Sequence, residues 1–176
     1  MIYIGIGSNL DSSFGNRFKN IELAISFLEA NKIKILKKSS YYESLSYPNR
    51  KKPKFINIII KVETTLPPKD LMNILISIEE KLERKRKNKN DPRTCDLDII
   101  DYNNKIMDLH LDANKLTIPH KNLSKRDFVL YPLREICPNW VHPITKKKID
   151  DLIKDLKNLN NDIKKISQND IINYVK

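Results

Sequence analysis

Two aspartates separated by one residue, Asp96 and Asp98, are the side chains in this sequence best suited to chemistry. They lie in the segment Asp91-Pro92-Arg93-Thr94-Cys95-Asp96-Leu97-Asp98-Ile99-Ile100. On a β-strand, alternate side chains share a face, which puts the two carboxylates about 6.6 Å apart along the chain. If both are ionised, they repel each other by about 2.5 kcal/mol at an effective dielectric constant of about 20. We therefore expect arginines or divalent cations, Mg²⁺ in particular, between them. We also expect that replacing either carboxylate slightly stabilises the metal-free protein.

Basic residues close to this pair strengthen the case that the two aspartates take part in chemistry. Arg84, Lys85 and Arg86 precede it, and Arg93 lies within the segment itself. Guanidinium groups suit bidentate phosphate binding, and carboxylates for metal beside arginines for phosphate are typical of a phosphoryl-transfer site. An isolated Asp-x-Asp pair is more often a surface ion-pair cluster, so the arginines decide the interpretation. The chain has only three glycines and neither a GxxxxGK[ST] nor a GxGxxG motif, which argues against a P-loop or protein-kinase fold.

Two further groups of residues combine rings with polar side chains. Phe55 and Asn57 share one face of a predicted strand, and a ring beside an amide suits stacking on a flat heterocycle and reading its edge. The alternative is that Asn57 bridges backbone groups within the sheet. The second group runs from Lys115 to Phe128 and contains His120, which on its own would more often be a structural hydrogen-bonding residue than a catalyst.

Periodicity predicts the elements that hold these residues. The predicted order is strand Ile2 to Gly7, helix through Ile21, Ile25 and Leu28, strands Ile33 to Tyr42 and Phe55 to Val62, a helix opened by Pro67-Pro68, and a strand from about Leu97. This is the βαββαβ order of a ferredoxin-like α+β fold, an α/β sandwich in which helices cover one sheet face and the other face is free for a site. Beyond it we predict a hairpin turn at Tyr102 to Lys105 and helices over Phe128 to Ile136 and Ile149 to Leu156.

Length and charge limit the class of protein. The 176 residues suit one domain, predicted over residues 1–160, with residues 161–176 a polar tail or a weak helix. The net charge of +11 indicates either an anionic partner or a composition bias of the whole chain. A basic ferredoxin-like RNA-binding module is the alternative function, but Asp96 and Asp98 on the open face would repel a nucleic-acid backbone. With no apolar run of membrane-spanning length, we expect a cytoplasmic monomer that binds neither membrane nor nucleic acid.

Five motifs together carry a resemblance to a known family. They are Gly7-Ser8-Asn9-Leu10, Phe55-Ile56-Asn57, the segment Asp91 to Asp98, Pro119-His120, and Arg126-Asp127-Phe128-Val129-Leu130. In order and spacing they resemble the 6-hydroxymethyl-7,8-dihydropterin pyrophosphokinases, over roughly Ile2 to Leu156. The resemblance implies transfer of pyrophosphate from ATP to the pterin alcohol, with AMP as the other product, as a step of folate biosynthesis.

The resemblance also implies a role for individual residues. Asp96 and Asp98 would hold two Mg²⁺ ions, and Arg86 and Arg93 would act with them in catalysis. The nucleotide side would comprise Arg86, Arg93, Ile99, Lys115, Thr117, His120 and Arg126. The pterin side would comprise Ser44, Leu45, Phe55, Asn57 and Phe128. Three positions depart from the family's usual residues: Asp91 replaces a glycine, Leu45 replaces a proline, and Lys121 follows His120 where proline or tyrosine is common.

Overall fold

An antiparallel six-stranded sheet organises the chain. The computed structural model describes residues 1–46, 49–85, 88, 91–111, 114–156, 163–167 and 169–171. The strands are β1 Ile2–Ser8, β2 Lys34–Lys38, β3 Tyr42–Ser44, β4 Phe55–Glu63, β5 Asp96–Tyr102, β6 Met107–Leu111, β7 Asn114–Ile118 and β8 Lys164–Lys165. The helices are α1 Arg17–Ala30, α2 Pro68–Lys81, α3 Asp127–Ile136 and α4 Ile149–Leu156.

The strand order confirms the ferredoxin-like prediction. The sheet runs β5-β1-β4-β3-β8, and β2 also pairs with β4. Thus β4 lies between β1 and β2, the two strands that α1 connects, and β1 lies between β4 and β5, the two strands that α2 connects. This interleaving of two split βαβ units is the ferredoxin-like topology.

Local signals explain where the two predicted helices begin. The side chain of Asn16 accepts a hydrogen bond from the Lys19 N–H at 3.0 Å, which caps α1. Pro67 and Pro68 stand at the start of α2, where a missing N–H costs nothing because the first turn has no acceptor for it. The apolar stripe of α2 is buried against the sheet, as the periodicity predicts.

Both faces of the sheet carry a hydrophobic core. On one face Ile56, Ile58 and Ile60 of β4 belong to the core beneath α1 and α2. On the other face Tyr3 and Ile59 belong to a second core with α3 and α4. The prediction that the second face is free is therefore wrong where Tyr3 and Ile59 pack against α3 and α4. The reason lies in β4, where consecutive isoleucines supply apolar side chains to both faces.

Two predicted elements differ in detail. The single strand predicted over Ile33 to Tyr42 divides into β2 and β3, because Ser39 leaves the ladder. Its N–H donates to the Ile59 carbonyl at 2.9 Å and its Oγ accepts from the Ile59 N–H at 3.0 Å. The predicted turn at Asn103 and Asn104 is present, with φ of 54° and 55°, but the strand that follows it, β6, forms its hairpin with β7.

The C-terminal segment returns to the sheet. Lys164 and Lys165 form β8 and pair with Glu43 and Tyr42 of β3. Ile166, 7% exposed, joins the first core, and its N–H donates to the Tyr41 carbonyl at 2.9 Å. The predicted loose tail or weak helix did not include this strand, although residues 169–171 are helical. Among the described residues, no helix has the length and apolar character needed to cross a membrane.

Candidate active site

The central strand β1 brings the predicted site residues side by side. Gly7 pairs with Asn57 of β4 on one side and with Asp96 of β5 on the other, and Gly5 pairs with Asp98. A Cβ atom at Gly7 would lie 3.1 Å from Asn57 Oδ1 and 3.5 Å from a ring carbon of Phe55. The absence of a side chain at Gly7 therefore leaves open space between the Asn57 amide, the Phe55 ring and the Asp96 carboxylate.

Two arginines neutralise Asp96. Arg84 Nη1 donates to Asp96 Oδ1 at 2.6 Å, and Arg93 Nη2 donates to Asp96 Oδ2. Burial by itself would raise the pKa of Asp96, but the guanidinium groups of Arg93 and Arg84 outweigh it and hold the pKa below its ordinary value. Arginines, one of the two sources of positive charge expected from the sequence, therefore contact Asp96 directly.

Arg84 is held in turn by Glu79, which sequence reasoning missed. Glu79 is 1% exposed, accepts a hydrogen bond from Arg84, and also accepts the Leu97 N–H at 2.7 Å. A signal was present, since Glu79 follows Leu75 by four residues and so lies on the buried stripe of α2. A carboxylate in that position needs a buried cation as its partner.

Asp98 lies in a looser environment. Its side chain is 35% exposed, and its Oδ2 is 3.5 Å from Arg126 Nη1 and 4.0 Å from His120 Nε2. The Asn122 N–H donates to His120 Nδ1 at 3.3 Å. Burial lowers the pKa of His120, while the Asp98 charge opposes that shift. The second carboxylate is therefore more open to a ligand than the first.

A cleft of about 160 Å³ opens beside Asp98. Most residues predicted for the nucleotide side line it together. Its lining residues are Met72, Asp98, Ile99, Lys115, Leu116, Thr117, His120 and Lys121. Lys121, one of the departures from the family's usual residues, thus contributes a further cation to the cleft.

Asp108 is a second residue that sequence reasoning missed. It lies opposite Thr117 in the β6–β7 hairpin, accepts the Thr117 hydroxyl at 2.7 Å, and lies 2.9 Å from Lys115 Nζ. These contacts hold two residues of the cleft wall in place. The sequence offered no signal for Asp108, because the pairing of β6 with β7 was not predicted.

Each of the two predicted pterin-side rings lies beneath an arginine. The guanidinium carbon of Arg93 is 5.0 Å from the centroid of the Phe55 ring, and that of Arg126 is 5.4 Å from the centroid of the Phe128 ring. Both distances fall within the range of cation–π interaction. Each arginine therefore contacts one ring and lies beside one of the two carboxylates.

The amide of Asn57 is partly used within the sheet. Its Nδ2 donates to Ser44 Oγ at 2.9 Å and approaches the Tyr42 carbonyl at 3.5 Å, so the donor side of the amide is engaged with β3, more closely with a side chain than with the backbone. Asn57 Oδ1 lies beside Gly7. Ser44 is buried and pairs with Phe55 in the β3–β4 register, and Leu45, which follows it, is half-buried.

Two loop positions complete the account of the predicted residues. Arg86 lies outside the described residues, so its predicted roles remain predictions. The charge of Asp91, which replaces the family's usual glycine, is paired with Lys52 Nζ at 3.2 Å. That ion pair joins the segment before β4 to the segment before β5.

The fold and the site together define a class of protein. An α+β sheet that presents two carboxylates among arginines, beside a cleft with further cations, has the parts of a phosphoryl-transfer enzyme. A sequence model of 7,8-dihydro-6-hydroxymethylpterin-pyrophosphokinase (HPPK) matches residues 3–138. The chain therefore belongs to the HPPK family. Its function is pyrophosphoryl transfer in folate biosynthesis, and ATP is the family's co-substrate.

Individual relatives agree with that assignment. The chain is 36% identical over 150 residues to the 2-amino-4-hydroxy-6-hydroxymethyldihydropteridine pyrophosphokinase of Aquifex aeolicus, covering 85% of this chain and 88% of the relative. It is 39% identical to the folic acid synthesis protein fol1 of Pneumocystis carinii, covering 94% of this chain but 21% of that protein. The chain therefore spans about a fifth of the length of that protein.

A solved structure shares the fold. The crystal structure of the Plasmodium falciparum HPPK-DHPS A437G/K540E protein with pterin and p-hydroxybenzoate superposes with a TM-score of 0.72 at 16% identity. The match covers 94% of this chain and 46% of that one. The chain thus spans less than half of that structure, and the likeness concerns the fold.

Proposed function

We propose that pyrophosphoryl transfer from ATP to 6-hydroxymethyl-7,8-dihydropterin takes place on the sheet face that carries Asp96 and Asp98. One observation carries the proposal. The carboxylate pair lies where the arginine cluster, the two aromatic rings and the 160 Å³ cleft meet. A triphosphate and a flat alcohol can therefore meet at the carboxylate pair.

Asp96 and Asp98 suit two Mg²⁺ ions. Both side chains are partly exposed, at 20% and 35%, on one face of β5, and carboxylate oxygens are the hard ligands that Mg²⁺ prefers. Among the described residues, no group of three or more histidines, cysteines or acids is gathered for a metal. A protein that binds Mg²⁺ together with substrate phosphates needs only one or two carboxylates. When bound there, Mg²⁺ offsets the phosphate charge and lowers the pKa of the attacking hydroxyl.

Arg93 is suited to receive a phosphate oxygen. Its Nε is buried and, within the described part of the chain, has no hydrogen-bond partner. A buried donor without a partner is costly, and a phosphate oxygen would satisfy it. Arg126 and His120 lie beside Asp98 and would contact the same triphosphate, with Arg86 as a further predicted contact. Ile99, Lys115 and Thr117 would line the nucleoside side of the cleft.

Phe55 and Phe128 would stack against the pterin, whose ring would replace the arginine contacts now made by both side chains. Asn57 would read the pterin edge as an acceptor, because its amide nitrogen is engaged with Ser44 while its oxygen lies beside Gly7. Ser44 and Leu45 would supply backbone groups at the same edge.

The reaction is then a displacement at phosphorus. The hydroxymethyl oxygen attacks the β-phosphorus, the bond from that phosphorus to the bridging oxygen of the α-phosphate breaks, and AMP leaves with both electrons of that bond. The hydroxyl proton is released to solvent. Arginines fixed around the phosphates stabilise the charge that develops, so no covalent enzyme intermediate is needed.

The proposed function is tested by identifying the nucleotide that the reaction produces. Incubation with ATP, Mg²⁺ and the pterin alcohol should give AMP and the pterin diphosphate, measured by chromatography. ADP in place of AMP would mean attack on the γ-phosphorus and would contradict the proposed chemistry.

In the part of the chain that the structure describes, neither the fold nor the site favours the RNA-binding alternative. Calorimetric titration should give saturable binding of an ATP analogue with Mg²⁺ and none of single-stranded RNA. RNA binding without nucleotide binding would reverse the assignment. The monomeric state, the cytoplasmic location and the single domain over residues 1–160 stay predictions.

A further inference from the structure

Asn9, which follows β1, is buried and uses both ends of its amide. Its side chain is 2% exposed. Oδ1 accepts the Arg93 N–H at 2.7 Å, and Nδ2 donates to the Pro53 carbonyl at 3.0 Å and to Ser46 Oγ at 3.3 Å. The Asn9 N–H also donates to the Arg93 carbonyl at 3.1 Å. One side chain therefore joins two segments that are far apart in the sequence, one at Arg93 and one that holds Ser46 and Pro53.

The two segments joined by Asn9 carry residues that are proposed to contact different ligands. Arg93 is the phosphate-side residue, held between Asp96 and the Phe55 ring. Pro53 lies two residues before Phe55, the first ring of the pterin side. Because Asn9 is hydrogen-bonded to both backbones, a shift of one segment would distort its bond to that segment or to the other.

We propose that Asn9 is a positioning residue that sets the backbone of Arg93 relative to the Pro53 segment and so couples the nucleotide and pterin sides. This inference rests on the proposed function, which gives the two sides their ligands. Among the hydrogen bonds and ion pairs of the described residues, none joins Asn9 to Asp96 or Asp98, the carboxylates that would hold metal. Its action on the reaction passes through Arg93 and the loop before β4.

The amide makes two hydrogen bonds to backbone, here called its two arms: one from the Arg93 N–H and one to the Pro53 carbonyl. Substitutions can remove these arms separately. Asparagine is the residue type that accepts with one atom and donates with another on the same short side chain. Asn9→Asp keeps an oxygen for the Arg93 N–H but, when ionised, replaces the donor to Pro53 with a second acceptor. Protonation of that carboxyl restores an O–H that can donate to the Pro53 carbonyl. Asn9→Ala removes both arms.

The test compares binding and turnover of the full-length variants. At pH 8, Asn9→Asp should raise the KM for the pterin about tenfold, while its affinity for a non-hydrolysable ATP analogue with Mg²⁺, measured by calorimetry, stays within about threefold of wild type. Because burial at this position disfavours the ionised carboxylate and raises its pKa, the pterin KM of Asn9→Asp should recover relative to wild type as the pH falls to 6, and that of Asn9→Ala should not. Asn9→Ala should weaken the binding of both the nucleotide and the pterin. Ser46→Ala leaves both backbone arms in place and serves as the matched control.

Two results would overturn the proposal. One is an equal loss of nucleotide and pterin affinity in Asn9→Asp at both pH values, which indicates general disruption. The other is wild-type behaviour of Asn9→Asp. Should Asn9→Ala fail to fold, the comparison of Asn9→Asp with wild type and Ser46→Ala remains complete. Failure of the proposed function gives a different result, namely wild-type protein that forms no AMP.

Discussion

Replacing each carboxylate of the pair with its amide should separate the two aspartates. From the sequence alone, mutual repulsion predicts that either Asp96→Asn or Asp98→Asn stabilises the metal-free protein. The structure reverses that expectation for Asp96, because two arginines with side chains only 12% and 22% exposed already neutralise it. Removing its charge leaves those guanidinium groups without their anion.

The magnitude follows from the contacts. Removing one partner of a buried, hydrogen-bonded ion pair costs about 3 to 5 kcal/mol, and the oxygen that asparagine retains keeps one of the bonds, so we expect a loss of about 3 kcal/mol for Asp96→Asn. For a domain of this size that lowers the Tm by about 6 to 12 °C. Asp98 has one cation at 3.5 Å and is 35% exposed, so Asp98→Asn should cost less than about 1 kcal/mol.

Thermal unfolding in EDTA, followed by circular dichroism, measures the difference. Asp150→Asn is a suitable control, since Asp150 pairs with Arg134 at 2.6 Å but both side chains are about half exposed, at 52% and 53%. Turnover should fall at least about 100-fold in both site variants, equivalent to about 2.7 kcal/mol of barrier. Equal Tm values for Asp96→Asn and Asp98→Asn, or a higher Tm for Asp96→Asn, would refute the role of the arginines. Near-normal activity of both at saturating Mg²⁺ would refute the metal sites.

Two further predictions concern other parts of the molecule. Gly7→Ala places a Cβ 3.1 Å from Asn57 Oδ1 and should lower kcat/KM about tenfold with little change in Tm. Gly5→Ala places its Cβ against core isoleucines and should lower Tm instead. The reverse pattern would contradict the role of Gly7 in keeping space open beside Asn57. Burial lowers the pKa of His142, with Asp101 opposing, so below pH 6.5 the unfolded chain binds a proton that the folded chain does not and the free energy of unfolding falls. His142→Asn should flatten that decline between pH 7 and 5 in urea titrations, and an unchanged slope would argue against it.

Elements with a strong period were predictable from the sequence. β1, β4, α1 and α2 follow from the spacing of apolar residues, and the predicted order βαββαβ matches the observed topology. The spacing of Asp96 and Asp98 also put both carboxylates on one face in advance. These features are local, because a strand or a helix repeats its pattern within a few residues.

Features that depend on distant partners were not predictable in the same way. The breaks around Ser39, the second core under α3, and the strand β8 depend on what each segment meets in space. The same holds for Glu79 and Asp108, whose roles come from hydrogen bonds to Arg84 and Thr117. Periodicity reports which face a residue is on but not which residue lies opposite it.

The strand β8 also affects how one molecule meets another. Peptide groups along an open sheet edge are a template for a strand from a second copy, and natural proteins protect such edges with short strands and lysines. Here Lys164 and Lys165 cover the β3 edge, and both side chains are well exposed. Without β8, the strand open to exchange would be the one that carries Ser44, at the border of the substrate face. β8 therefore covers the β3 edge at the place where a strand from a second copy could otherwise pair beside the proposed site.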